Sequence, residues 1–291
     1  MTEPAAHQTA QGEGAPTETL EWTGATGDRW LATERITERL FKGLTQRLCA
    51  LLPELQRPPA HVLDVGCGTG ATTVALACAL GGRAEVTGID IAPALVNFAA
   101  KRAREKNSVA RFLVGNAATH PFEPARFDLI VSRFGVMFFD DPVAAFAHLG
   151  NASVPGAELA LMVWRSQEEN SFMTIAAKAV LPILPEGTLP EPSGVNGPFA
   201  FSDVDKVRSI LMDAGWSDID AIPVDVSMSM AAKDLEPAFT QFGPLGSIFE
   251  SLDDDLKAAV LPAVHAAFQP HIKGDDAHFT AACQIIRGRR V

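Results

Sequence analysis

Apolar positions along the chain fall into two rhythms. Between Asp28 and Leu52, Ile36, Leu40, Leu44, Leu48 and Leu51 recur at steps of three and four, which predicts an amphipathic helix with these residues on one face. Pro53 closes it, because proline cannot continue the hydrogen-bond ladder. From His61 onward short apolar runs alternate with helical patterns. Strands are predicted at His61–Val65, Ala84–Ile89, Arg111–Val114, Phe127–Ser132 and Glu158–Trp164. Helices are predicted at Ala71–Leu80, from Pro93 to about Lys106, and around Pro142–Leu149. This alternation predicts βαβ units around a parallel sheet, with right-handed crossovers.

Beyond Trp164 the rhythm changes. A helical piece, Phe172–Leu184, precedes a Pro- and Gly-rich loop at Pro185–Pro198. Ser202–Ala214 is predicted helical, with Ser202 as its cap, Asp205 in its first turn and Gly215 as its stop. Ile219–Val226 and His278–Ile286 read as strands, and residues 232–270 as mostly helical. Residues 1–20, rich in Ala, Gly, Pro, Thr and Glu, read as a disordered tail. The expected division is the tail, an N-terminal helical segment at 21–60, a core at 61–165, and sheet completion with helical cap insertions at 166–291.

Composition narrows the chemistry. The chain has 291 residues and no tyrosine, so any mechanism needing a phenolic acid or base is closed. A net charge of −11 argues against nucleic acid or anionic membrane as a partner. Cys49, Cys67, Cys78 and Cys283 form no C-x-x-C pair, and no metal site is expected. With no secretory apolar core near the N-terminus, a reducing, cytoplasmic compartment is expected.

The first strand runs into Gly66-Cys67-Gly68-Thr69-Gly70 and then a helix. Glycines let backbone approach a ligand, and a helix N-terminus offers free N–H groups. The second strand ends in Asp90, twenty residues beyond Gly70, where an acid can accept both hydroxyls of a ribose. Its simpler role is to cap the next helix. The NAD fingerprint is met only loosely, and Asp64 is unusual for it.

Val62-Leu63-Asp64-Val65-Gly66-Cys67-Gly68-Thr69-Gly70 resembles the first motif of class I S-adenosylmethionine-dependent methyltransferases. Gly88-Ile89-Asp90-Ile91 resembles their second motif and Gly115-Asn116-Ala117 their third, with Asn116 where Asp is usual. Phe127-Asp128-Leu129-Ile130-Val131-Ser132 resembles the fourth, and Pro155-Gly156-Ala157 the turn before strand five. Order and spacing agree over about residues 61–165, and the nearest branch is the ubiquinone/menaquinone-type small-molecule enzymes.

The resemblance implies a Rossmann-like, doubly wound, seven-stranded sheet, mostly parallel with an antiparallel last strand, and a helical cap. It implies S-adenosyl-L-methionine as cofactor. Gly66 and Gly68 would pass close to its methionine part, with Cys67 packed inside the loop. Asp64 would steady the loop and the cofactor's ammonium, and Asp90 would take the ribose hydroxyls. Ile91 would cover one adenine face, and Asn116 and Ala117 would meet the adenine edge. Ser132 would line the methionine side, with Arg133 and Phe134 toward the substrate mouth.

Trp22, Gly24, Gly27 and Trp30 are open to two readings, core packing or a lid over the cofactor. His120 reads as a structural histidine, with a general-base role left open. The aromatic residues at Phe134–Phe139, Phe172, Phe239, Phe242 and Phe249 suit either core or an apolar, aromatic acceptor. The expected activity is methyl transfer to such a small molecule, by a monomer or homodimer. The alternatives are an NAD-dependent oxidoreductase and a non-catalytic cofactor-binding regulator.

Overall fold

The computed structural model describes residues 22–190 and 197–291. The tail expected at residues 1–20 and part of the Pro185–Pro198 loop lie outside them. Seven strands form one sheet in the order β3-β2-β1-β4-β5-β8-β6. They are β1 His61–Val65, β2 Glu85–Asp90, β3 Arg111–Val114, β4 Phe127–Arg133, β5 Ser153–Trp164, β6 Trp216–Ala231 and β8 Asp276–Arg290. The two-residue β7, Ile272–Lys273, pairs only with β8. The first five strands pair in parallel, and β8 runs antiparallel to both β5 and β6. The expected doubly wound sheet is therefore present.

The central strands are largely apolar because helices cover both faces. Val62, Leu63, Val65, Leu129, Ile130, Val131 and the run Leu159–Trp164 are all buried, as a parallel sheet requires. The crossover helices are α3 Ala71–Leu80, α4 Pro93–Glu105 and α5 Pro142–Ala152. Proline opens the last two, where its fixed φ suits a first turn.

Three local expectations change. The first helix is broken at Thr33 into α1 Ala25–Ala32 and α2 Glu34–Cys49. The Thr33 hydroxyl donates to the Arg29 carbonyl at 2.8 Å, which competes with a continuous ladder. The piece expected at Phe172–Leu184 is a 3-10 turn, Ser171–Met173, and a short α6, Ile175–Val180, with Pro182 just beyond. Helix α7, Val204–Asp213, is capped by Asp203, which accepts from the Asp205 and Lys206 amides. Ser202 instead donates to the Phe199 carbonyl.

One extension shapes the site. β5 pairs with β8 only as far as Trp164 opposite Cys283, while β6 and β8 stay paired to Ala231 opposite Asp276. The β6–β8 ribbon thus projects past the carboxyl end of the parallel strands. Helix α2 packs on it so tightly that a Cβ at Gly43 would lie 2.9 Å from Val226 Cγ1. Asn170, fully buried, holds the point of departure: its Nδ2 donates to the Ala282 carbonyl and its Oδ1 accepts the Ala282 amide, both at 2.9 Å. The Ala282 carbonyl also accepts the Arg165 amide at 3.0 Å, so side chain and backbone together hold β8 where β5 ends. Helices α6, α8 Leu235–Phe239, α9 Gly243–Ile248 and α10 Asp254–Phe268 complete this end, with α6 packed on α10.

Candidate active site

The strand order reverses between β1 and β4. In such sheets ligands bind outside the carboxyl ends at that switch point. Three segments meet there: the Gly loop after β1, Asp90 at the end of β2, and residues 132–135 at the end of β4.

The Gly loop is built by three left-handed glycines, Gly66 at φ +68°, Gly68 at φ +52° and Gly70 at φ +80°, a conformation that strains other residues. Their surroundings differ. A Cβ at Gly66 would stand 2.5 Å from the Gly135 Cα, so Gly66 is glycine because two backbones cross there. A Cβ at Gly70 would stand 2.7 Å from Ala99 Cβ. At Gly68 the nearest atom is Trp30 Nε1, 3.9 Å away. The free space beside the loop is thus at Gly68, under the Trp30 indole. The missing side chain of Gly66 is thus required by the β1–β4 crossing.

Asp90 ties the loop to the second strand. Its Oδ2 accepts the Gly68 amide at 2.8 Å and its Oδ1 the Ala92 amide at 2.9 Å. Burial pushes the carboxyl pKa up and these N–H donors pull it back. Each oxygen keeps a further lone pair. Both readings of Asp90 are thus compatible, since one carboxylate starts the α4 turn and still presents acceptors. Ile91 follows it, half-buried.

Asp64 lies beneath, 1% exposed. Thr73 donates to its Oδ2 at 2.6 Å, while Oδ1 is sealed and has no partner. Burial raises its pKa to about 6, against the pull of the Thr73 hydroxyl and the Arg133 charge. Cys67 is buried, its thiol pushed well above the ordinary value by burial and then by the Asp90 and Asp64 charges. It fills space against Gly88, where a Cβ would stand 2.8 Å from its own Cβ.

The other expected residues divide. Asn116 Oδ1 accepts the Ala118 amide at 2.9 Å, and Ala117 is buried. Ser132 stands at the β1–β4 joint. It is fully buried, donates to the Val65 carbonyl at 2.8 Å and accepts the Gly135 amide at 3.1 Å, so its hydroxyl fastens β1 to β4. Phe134 takes φ +69° and stacks on Trp164, centroids 4.0 Å apart at 7°. His120 supplies its carbonyl to His148 Nε2 at 2.7 Å and rests on Phe122 at 4.7 Å, a structural placement.

The N-terminal aromatics pack against rings of the core and cap. Trp22 meets Phe138 at 5.1 Å, and Trp30 meets Phe242 at 5.3 Å and Phe41 at 6.3 Å. Phe41 continues to Phe134 at 5.8 Å, and Trp164 to Phe172 at 5.9 Å. Aromatic rings therefore run from the Gly loop toward the cap.

Two arginines were not foreseen in these roles. Arg102 of α4, 6% exposed, pairs with Glu34 and Glu38 of α2 and reaches Thr69 Oγ1 at 3.4 Å. The signal was available: Leu95, Ala99 and Arg102 share a helical stripe. Arg133, at the end of β4, donates to Thr45 Oγ1 of α2. Among the described residues no group of three or more His, Cys, Asp or Glu could hold a metal ion.

Comparison with known proteins agrees with this geometry. A family model for a methyltransferase domain matches residues 62–156. The chain is 35% identical over 138 residues to the aklanonic acid methyltransferase DauC of Streptomyces sp. strain C5, covering 45% of this chain and 63% of that protein. It is 25% identical over 257 residues to the nocamycin O-methyltransferase of Saccharothrix syringae, covering 86% and 91%. A demethylmenaquinone methyltransferase of Lactiplantibacillus plantarum is 35% identical over 102 residues, 34% of this chain and 43% of that one. The chain thus spans less than two-thirds of two of these three relatives. A solved SAM-dependent methyltransferase of Thermotoga maritima shares the fold, with a TM-score of 0.52 and 14% identity over 91% of this chain and all of that one. Residues 62–156 thus match a methyltransferase-domain model, on a fold shared with a solved methyltransferase.

Proposed function

We propose that the protein transfers a methyl group from S-adenosylmethionine to a small, apolar or aromatic acceptor. One observation carries this reading: at the switch point, the buried Asp64 Oδ1 lacks a partner beside a Gly68 whose side-chain space is open below Trp30. A sealed carboxylate oxygen is costly unless something donates to it, and an ammonium group is such a donor. The residues present therefore fit the cofactor.

In this reading Asp64 holds the ammonium and Asp90 accepts the ribose hydroxyls. Ile91 covers the adenine, Asn116 and Ala117 meet its edge, and Gly68, with Cys67 packed behind it, lies along the methionine part. Gly66 and Ser132 shape the site through the β1–β4 joint. Trp30 and Phe134 bound the open side. When bound, S-adenosylmethionine supplies an electrophilic methyl group on a sulfonium. The chain then acts mainly by positioning and water exclusion, with a base needed only where the acceptor is protonated.

The stacked Phe134 and Trp164, with Phe172 beyond, offer an aromatic wall, and the names of the relatives support a small-molecule acceptor. No helix of the described residues is long and apolar enough to cross a membrane. That fact and the free cysteines support work in the cytoplasm on a diffusible substrate. We read residues 61–165 as the cofactor-binding core, residues 21–60 as its cover, and residues 166–291 as sheet completion and cap.

The test is a calorimetric titration with S-adenosylmethionine. Binding is expected, with Asp90→Ala at least tenfold weaker, about 1.4 kcal/mol. Wild-type affinity in that variant sinks the cofactor assignment. Enhanced NADH fluorescence on mixing would favour a hydride-transfer enzyme instead.

A further inference from the structure

Arg133 is an unpaired cation at the switch point. It ends β4, one residue before the left-handed Phe134 and two before Gly135, which crosses Gly66. Its guanidinium lies 5.6 Å from the centre of the Phe41 ring, and Nη1 donates to Thr45 Oγ1. Neighbouring arginines are satisfied differently: Arg102 pairs with Glu34 and Glu38, Arg165 with Glu169 and Asp225, and Arg35 with Asp234. Among the described residues, no carboxylate comes within ion-pair distance of Arg133.

A guanidinium carries five N–H donors, and the chain uses one here. Among the described residues, the side-chain atoms sealed from solvent and without a hydrogen bond are Glu34 Oε1, which Arg102 neutralises as an ion pair, His61 Nδ1 and Asp64 Oδ1. The remaining Arg133 donors are not among them, and Arg133 is half-buried, so they keep contact with solvent. Burial pulls its pKa down to about 10, and the nearby Asp64 charge only partly restores it. It remains a cation at neutral pH. The bland role, packing on Phe41, explains neither the free N–H edge nor the place at the switch point. An aromatic face and one hydroxyl orient the group without neutralising it.

We propose that Arg133 is the carboxylate receptor of this cleft, pairing through its free N–H edge with an acid on the bound ligand. The fork matches a carboxylate bidentately. Asp64 and Arg133 place opposite charges near the carboxyl ends of the paired strands β1 and β4. Within the methyl-transfer reading, on which this rests, that carboxylate belongs either to the amino-acid end of the donor or to an acidic aromatic acceptor.

The experiment compares wild type with Arg133→Met, checking fold by thermal melting. Arg133→Gln, which keeps a donor for Thr45, replaces the Met variant if that one does not fold. Calorimetry uses S-adenosylhomocysteine and 5′-methylthioadenosine, which lacks the amino-acid end. NMR then follows 1-naphthoate and neutral 1-naphthylmethanol binding to the S-adenosylhomocysteine complex. A tenfold or greater loss for S-adenosylhomocysteine, with 5′-methylthioadenosine unchanged, supports the proposal with the donor as source. Unchanged S-adenosylhomocysteine binding, with selective loss of 1-naphthoate, supports it with the acceptor as source. Unchanged binding of all four probes overturns it. Wild-type protein that binds no S-adenosylhomocysteine overturns the functional reading itself, and this proposal with it.

Discussion

Asp90 Oδ2 accepts the backbone N–H of Gly68 at 2.8 Å, so the acid ending the second strand holds the loop that follows the first. The same carboxylate starts the α4 turn through Ala92. Asp90→Asn has one carbonyl oxygen and cannot satisfy both amides as the carboxylate does. Hydrogen exchange at Gly68 should rise at least tenfold, and cofactor affinity should fall with it. Unchanged exchange would mean that the loop does not depend on this bond.

The crossing of Gly66 and Gly135 makes a stability prediction. A Cβ on Gly135 would stand 2.5 Å from the Val65 carbonyl oxygen, a backbone atom that cannot swing away. Gly135→Ala should cost about 2–3 kcal/mol, in the upper range for overpacking, read as a lower urea midpoint at constant slope. Gly187→Ala is the comparison, because a Cβ there meets nothing within 4 Å although its φ is +79°. Its loss should stay near 1 kcal/mol, the cost of the backbone conformation alone.

Asp64 should make stability depend on pH. Its folded pKa, about 6, lies above the ordinary value of 3.8. A group raised on folding binds more protons in the native state, so its contribution is fully present below the unfolded pKa and is lost as pH rises through the folded one. Asp64→Asn should therefore gain on wild type as pH climbs from 4 to 7, by at most about 3 kcal/mol. Thermal melts across that range check it. Binding of an ammonium group needs the carboxylate, so S-adenosylhomocysteine affinity of the wild type should weaken below about pH 6.

Arg102 fastens the N-terminal helices to the core. Its partners Glu34 and Glu38 lie on α2, and Glu34 is itself largely buried. Arg102→Met leaves Glu34 without its counter-charge, and an expected loss of about 2–3 kcal/mol follows from breaking a partly buried pair. Hydrogen exchange should rise across α1 and α2 first. If the whole chain loosens uniformly, Arg102 is a general core residue and not a fastener of the cover.

Thiol reactivity offers a quick check on packing. Burial pushes Cys67 well above its ordinary pKa, Cys49 to about 11 and Cys283 to about 12. Cys78 is exposed. Iodoacetamide at pH 8 should modify Cys78 in the native protein and the other three only after denaturation, because the thiolate is the reactive form. Rapid labelling of Cys67 would contradict the closed Gly loop.

Much of the architecture was legible along the chain. Short apolar runs and their Gly and Pro boundaries placed β1, β3, α3 and the start of α4 to the residue; burial on both sheet faces forces the run in β1. The glycine turn and the acid after the second strand marked the cofactor end, because backbone conformation and charge are local properties. What the sequence left open depended on partners remote along the chain. Gly66 and Gly68 look alike in one motif, yet one is emptied by Gly135 and the other opens below Trp30. The Ser132 hydroxyl is claimed by the Val65 carbonyl and the Gly135 amide. That Trp30 lies beside Gly68, and that Arg133 has no ion pair while Arg102 has two, depends on how the N-terminal helices pack at the switch point. Local pattern sets which face of an element is buried; the tertiary contacts set what each buried polar group finds there, and that decides which groups remain free for a ligand.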